Sequence, residues 1–175
     1  KKAQAAGLIR KVEEKFGRID ILVNNVGPLR FKAWDELEVS DWESALRGNL
    51  LGAYFTMKAA LDGMRQRKWG RVINIGYSRA EHLAAFPTIM PYAAAKTGLL
   101  ILTRTAAAAE VANGITVNMV SPGLIRGGAM PASRTLSETA FGEASDVAEA
   151  VAYLASDAAA AVTGTNLIVA GTWKM

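Results

Sequence analysis

Apolar residues along this chain recur in two rhythms, one helical and one of short continuous runs, and the two alternate from end to end. Residues 1–16 place Ala5, Ala6, Ile9, Val12 and Phe16 at spacings that favour one helix face, and Gly17 stops the pattern. Ile19 to Val23 is a short apolar run suited to a buried parallel strand. Ser40-Asp41-Trp42-Glu43 reads as a capping box that opens a helix continuing to about Arg67. Arg71 to Ile75 is a second strand, and Ala93 to about Val111 is a long alanine-rich helix. Ile115 to Val120 is a third strand, ended by Ser121-Pro122-Gly123. Ser145 or Asp146 caps a helix through Ala155, and Asn166 to Ala170 is a last strand. Strands separated by helices of this length predict an α/β fold built on a parallel, doubly wound sheet.

The first strand is apolar on both faces. Such a strand normally has neighbours on both sides, because an exposed edge of that kind invites aggregation. In a four-stranded sheet it falls at the edge. The chain also begins inside a helix and without Met. These features predict that residues 1–175 form a single incomplete domain whose preceding strands lie outside the sequence. A small complete fold capped by self-association is the alternative.

Composition narrows the function classes. Of 175 residues, 51% are hydrophobic and 21% charged, a globular balance with no apolar run long enough to span a bilayer; the charged, amphipathic opening is not expected to act as a signal peptide. With no cysteine, thiol catalysis and disulfides are excluded, which fits a cytoplasmic protein, and His82 alone builds no histidine metal site. The net charge of +4 is spread thinly, apart from the run Arg65, Arg67, Lys68 and Arg71. That run reads as a solvated helix end rather than a nucleic-acid footprint, since no recognition motif accompanies it. A basic spot for a phosphate-bearing substrate or an acidic carrier protein stays open.

The candidate chemistry centres on Tyr92-x-x-x-Lys96. On a helix the two side chains lie one turn apart on one face. A free phenol has a pKa of about 10, too high for easy proton transfer near neutrality, and a neighbouring ammonium is expected to lower it. The pair is then suited to acid–base work between an alcohol and a carbonyl. Tyr54-x-x-x-Lys58 has the same spacing inside the preceding helix and is read as packing plus surface. Context separates the two pairs. Tyr92 follows the strand Arg71–Ile75, Gly76-Tyr77-Ser78 and a loop ending at Pro91, and precedes Ala93-Ala94-Ala95.

Asn24-Asn25-Val26-Gly27, Asn49, Tyr92-Ala93-Ala94-Ala95-Lys96 and Ser121-Pro122-Gly123 stand in the order and spacing found in short-chain dehydrogenases/reductases. From Phe16 to Met175 the chain resembles that family, and particularly its 3-oxoacyl carrier-protein reductases. The resemblance implies a Rossmann-type fold, NADP or NAD as cofactor, and a carbonyl or alcohol substrate that can be carrier-protein-bound. It also implies a homodimer or homotetramer formed through the two long helices. Tyr92 would be the general acid, and Lys96 would tune it and hold the nicotinamide ribose. Asn49 would position a relay water, and Ser78 would bond the substrate oxygen. Asn24, Asn25 and Gly27 would line the adenosine side, with Pro122, Gly123 and Ile125 beside the nicotinamide.

The sequence also departs from the family. The glycine-rich turn that cradles pyrophosphate is not among these residues, nor is the position that chooses NAD or NADP, so cofactor binding by this chain alone is expected to be weak. Counted from the strand, the family's serine falls on Tyr77; counted back from Tyr92, it falls on Arg79. Ser78 lies between. Gly127-Gly128 and Pro131 oppose a stable lid helix, and the end reads Val169-Ala170-Gly171-Thr172-Trp173 where an aspartate and paired glycines are usual. Two function classes follow: a ketone reductase, or a truncated, non-catalytic product that self-associates through its helices.

Overall fold

A computed structural model of the chain describes residues 2–129 and 141–171. Pro131, Thr172 and Trp173, and with them most of the expected lid, lie outside the described residues. Among the described residues, five α-helices and four strands follow in the order α1 (Lys2–Phe16), β1 (Ile21–Asn24), α2 (Val39–Leu46), α3 (Gly52–Arg67), β2 (Gly70–Ile75), α4 (Met90–Glu110), β3 (Ile115–Pro122), α5 (Ala144–Ala155) and β4 (Asn166–Val169). The strands form one parallel sheet in the order β1-β2-β3-β4, the α/β architecture expected of the sequence.

The two central strands are buried on both faces, which is why they carry apolar side chains toward both rather than in strict alternation with polar ones. On one face Val72, Ile115 and Val117 pack against Met57, Leu61 and Met64 of α3 and Ala107 of α4, with α1 adding Ile9. On the other, Ile73 and Val120 pack against Leu154 of α5. The strands step across the sheet in one direction while α3 and α4 cover one face and α5 the other. The last crossover therefore has the opposite hand to the first two, against the strong right-handed preference of such connections. Asn118, buried in β3, supports it: its Nδ2 donates to Val162 O (2.8 Å) and its Oδ1 accepts from Thr165 N–H (3.1 Å).

β1 lies at the edge, and Ile21 and Val23 are 45% and 43% exposed there. Several boundaries differ from the sequence expectation, among them β1, shifted to Ile21–Asn24, and α4, which opens at Met90 rather than Ala93. The second helix opens at Val39 after Glu38, not at Ser40. The reason is Asp41, which accepts the Glu38 N–H at 3.0 Å and is itself paired with Lys32 Nζ at 2.7 Å. That helix is also not continuous, because a π-helical turn over Arg47–Leu51 separates α2 from α3. Near the end, Asp146 accepts the Glu143 N–H at 2.8 Å, so Ser145 lies inside α5 rather than capping it.

The basic run at the end of α3 leaves Arg65 and Lys68 exposed, as a solvated helix end would, but its members are also internally paired and Arg71 is buried. Arg65 Nε donates to Glu110 at 3.0 Å and Arg67 pairs with Asp20 at 3.6 Å. Lys68 Nζ donates to Asn113 at 3.0 Å, while Arg71 is buried with its guanidinium 4.5 Å above the Trp69 ring. Lys68 ends α3 in the left-handed conformation, and Gly114 meets it there. A Cβ on Gly114 would lie 2.2 Å from Lys68 O, at a φ of +68° that side chains avoid.

Candidate active site

Parallel sheets gather ligands at the carboxyl ends of their strands, and that end is where the candidate residues converge. β2 delivers Ile75, Gly76, Tyr77 and Ser78. Gly76 N–H donates to Val120 O (2.7 Å) and Ser78 N–H to Pro122 O (3.0 Å), so the segment stays alongside β3 past the end of β2. Gly76 is required there: a Cβ would lie 2.1 Å from Met119 Cε and 2.4 Å from Ser121 Oγ.

α4 begins with Met90 and Pro91, whose missing N–H costs nothing in a first turn. Tyr92 thus sits in the first turn and Lys96 one turn later, facing the sheet. Lys96 is 5% exposed and its Nζ donates to Ile75 O at 2.6 Å, lying 5.6 Å from the centre of the Tyr92 ring. Burial pushes the ammonium pKa down to about 8. The Tyr92 phenol moves the other way, up to about 12, through burial first and the neighbouring Tyr77 second. The expected lowering of Tyr92 by Lys96 is therefore not present in this state. Desolvation acts on both groups and opposes both charges, and Lys96 directs its proton at a backbone carbonyl rather than at the phenol oxygen.

Asn49 lies in the π-helical turn, buried, with Nδ2 donating to Pro28 O (2.9 Å) and Ala45 O (3.1 Å). Its Oδ1 is buried without a partner. Gly27 makes room for it: a Cβ there would lie 2.0 Å from that oxygen. Single π turns recur at functional sites because they re-aim one residue out of helical phase. Asn24 has a different employment. Its Nδ2 donates to Asn74 Oδ1 (2.9 Å), its Oδ1 accepts from Thr56 Oγ1 (2.7 Å), and Asn74 Nδ2 donates on to Thr103 Oγ1 (2.9 Å). This polar chain ties α3, β1, β2 and α4 together beneath the site. Asn25 is exposed beside it.

Pro122 and Gly123 end β3, and Gly123 N–H donates to Val169 O at 2.9 Å. A Cβ on Gly123 would lie 2.8 Å from Ala170 Cα, so this glycine lets β4 approach. Ile125 O accepts from Gly128 N–H (2.9 Å), and Ile125 bridges to Gly142. Ser78 is 0% exposed and its Oγ has no partner. The ring that meets Tyr92 belongs to Tyr77, at 5.7 Å between centroids and 65° between planes. A small cavity of about 20 Å³ opens beside Tyr92 between Pro28, Leu37, Asp41 and Ala45, room for about one water. Among the described residues no group of His, Asp or Glu is placed to hold a metal ion, and no helix is long and apolar enough to cross a membrane.

Sequence reasoning did not single out Asn74, Thr103 or Thr56. A polar Asn inside Val-Ile-Asn-Ile was the one visible signal for them. Tyr54 and Lys58 instead lie exposed on α3, beside a groove of about 290 Å³ that Leu61, Leu102 and Ala106 also line.

A family model described as enoyl-(acyl carrier protein) reductase matches residues 1–172. A 3-oxoacyl-[acyl-carrier-protein] reductase of Haemophilus influenzae is 37% identical, the match covering 94% of this chain and 71% of the relative. A D-beta-hydroxybutyrate dehydrogenase of Rhizobium meliloti is 31% identical over 99% of this chain and 74% of its own. Among solved structures, one described as a short-chain alcohol dehydrogenase from Sinorhizobium meliloti superimposes with a TM-score of 0.89 at 31% identity, covering 99% of this chain and 72% of that one. With the ordered motifs, the parallel sheet and these matches in agreement, the chain belongs to the short-chain dehydrogenase/reductase family of oxidoreductases.

Proposed function

We propose that this chain carries the reacting half of an NAD(P)-dependent oxidoreductase that interconverts a ketone and a secondary alcohol, with a carrier-bound 3-oxoacyl thioester as the substrate class. The observation that carries this reading is the placement of Lys96. It is a buried ammonium beneath Tyr92 at the carboxyl end of a parallel strand, with one described bond, to Ile75 O. An ammonium has three donors, and burying it with donors unused is costly unless a ligand takes them. Two spare donors suit the vicinal hydroxyls of a nicotinamide ribose. The orphaned Asn49 Oδ1 suits a water.

When bound, the nicotinamide supplies a hydride to the carbonyl carbon. Tyr92 gives its proton to the carbonyl oxygen, and its raised pKa keeps that proton in place until the oxygen gains charge. Lys96 holds the ribose and returns a proton towards Tyr92 through the water at Asn49. Asn24 braces β1 against β2, while Asn25 and Gly27 form the turn that faces the adenosine. Pro122, Gly123 and Ile125 present backbone to the nicotinamide. Ser78 serves through its backbone, holding the loop to β3. Pairing of two copies across the groove between α3 and α4 belongs to the same reading, with light scattering as its check.

Turnover is tested by following reduced nicotinamide absorbance with acetoacetyl thioester, using NADPH and NADH in parallel. The reading predicts substrate-dependent oxidation of one of them by the encoded protein. The 175-residue chain alone is expected to bind neither in the micromolar range, for want of a pyrophosphate turn among its residues. Tight binding by that chain would contradict this division of the site.

A further inference from the structure

The second hydroxyl of the reacting site is ambiguous along the chain but not in space. Ser78 Oγ is wholly buried and has no partner, so a substrate oxygen reaches it only if the loop opens. Its neighbour is placed otherwise. Gly76 and Ser78 both turn their N–H groups to β3, at 2.7 and 3.0 Å, and Ala80 N–H then closes a turn on Tyr77 O at 2.9 Å. Ser78 enters that turn buried, whereas the Tyr77 ring meets Tyr92 edge-to-face at 5.7 Å. Phe86 buttresses it from the far loop, with centroids 6.1 Å apart at 68°, and the Arg79 guanidinium lies 5.1 Å from the Phe86 ring centre.

We propose that the Tyr77 hydroxyl, and not that of Ser78, is the second hydrogen-bond donor to the substrate oxygen at Tyr92. The assignment rests on Tyr92 as the proton donor. A tyrosine projects its hydroxyl much farther from the backbone than a serine does. A loop carrying it must stand back from the reacting oxygen, and the residues between Tyr77 and Tyr92 supply that slack. In reduction the carbonyl carbon gains hydride from the reduced nicotinamide, which is oxidised, and the π pair of the carbonyl passes to its oxygen. The oxygen takes the Tyr92 proton. Tyr77 keeps its own proton and contributes only a hydrogen bond, which strengthens as negative charge develops. The two phenols sense each other: Tyr77 is the second cause, after burial, of the raised Tyr92 pKa.

Tyr77→Phe tests this, because it keeps the ring that packs on Tyr92 and Phe86 and removes the hydroxyl alone. The expected result is a fall of about a hundredfold in kcat for acetoacetyl thioester, with the nicotinamide KM little changed. A second readout needs neither cofactor nor turnover. In ultraviolet titration of the free protein, the Tyr92 phenol of Tyr77→Phe is expected to titrate lower than that of the wild type, because the neighbouring Tyr77 raises it. Wild-type kcat in Tyr77→Phe, or a loss confined to Ser78→Ala, would overturn the assignment, as would an unchanged Tyr92 titration. Failure of the underlying reading looks different: no turnover by the wild type, or Tyr92→Phe as active as wild type. The titration still judges Tyr77 in that event.

Discussion

Two helices of this protein carry a tyrosine and a lysine four residues apart, and the structure treats them in opposite ways. Tyr54 is 40% exposed on α3, tilted against Phe55 at 5.6 Å, and Lys58 is exposed beside it. Tyr92 and Lys96 open α4 at the end of a parallel strand, where Lys96 is buried against Ile75 O and Tyr92 against Tyr77. The spacing is the same and the chemistry is not. What distinguishes the pairs is desolvation, which moves both titrations in the second pair, where the one bond of Lys96 among the described residues goes to Ile75 O.

That contrast can be broken at several points. The largest effect is expected from Lys96→Met, which removes the charge beneath Tyr92 and should lower kcat/KM by roughly a hundredfold or more in steady-state assays. Lys58→Met should leave it within about twofold, because exposed changes of this kind stay within about 0.5 kcal/mol. A loss in both would mean that α3 contributes to the site. In pH profiles, kcat/KM for reduction should fall as pH rises through about 8, where the free protein loses the Lys96 proton. A profile flat from neutrality to pH 10 would remove Lys96 from the relay.

Stability sharpens the same contrast with smaller effects. The folded Lys96 pKa of about 8 lies below its ordinary 10.5, so the folded state binds fewer protons than the unfolded one between those values. Stability should therefore rise with pH across that window, and the burial penalty is fully present below about 8. Lys96→Met should relieve up to about 3 kcal/mol of it in urea titrations at neutral pH. The gain should shrink as pH approaches 10.5 and be absent from Lys58→Met. Gly27→Ala should cost roughly 1–3 kcal/mol, since its Cβ would press on the buried Asn49 amide at 2.0 Å. A neutral result there would show that the turn and the π-helical segment can separate freely.

The sheet was legible in the sequence because β2 and β3 are buried on both faces and carry apolar residues toward both, around Asn74 and Asn118. The edge position of β1 was legible from its place in the order, whereas its apolar pattern pointed to neighbours on both sides. What escaped was non-local or off-period. The π turn adds one residue to a helical rhythm, and Asp41 moves a helix start by reaching Glu38 and Lys32 at once. The reversed hand of the β3–α5–β4 crossover leaves no mark in periodicity. At the site, the motif order singled out Tyr92, Lys96, Asn49 and Ser78 as candidates, and it favoured Ser78 over Tyr77 where counting fails across a loop of altered length. The direction of the Tyr92 shift was also missed. Spacing reports that a cation is near; only burial and the Ile75 carbonyl show where its proton points.

The measurement that bears most directly on the reacting pair is a side-by-side assay of wild type, Tyr92→Phe and Tyr54→Phe, following nicotinamide oxidation with acetoacetyl thioester. The account predicts that Tyr54→Phe turns over at the wild-type rate and that Tyr92→Phe falls by at least about a hundredfold. Equal rates for Tyr92→Phe and wild type would contradict it.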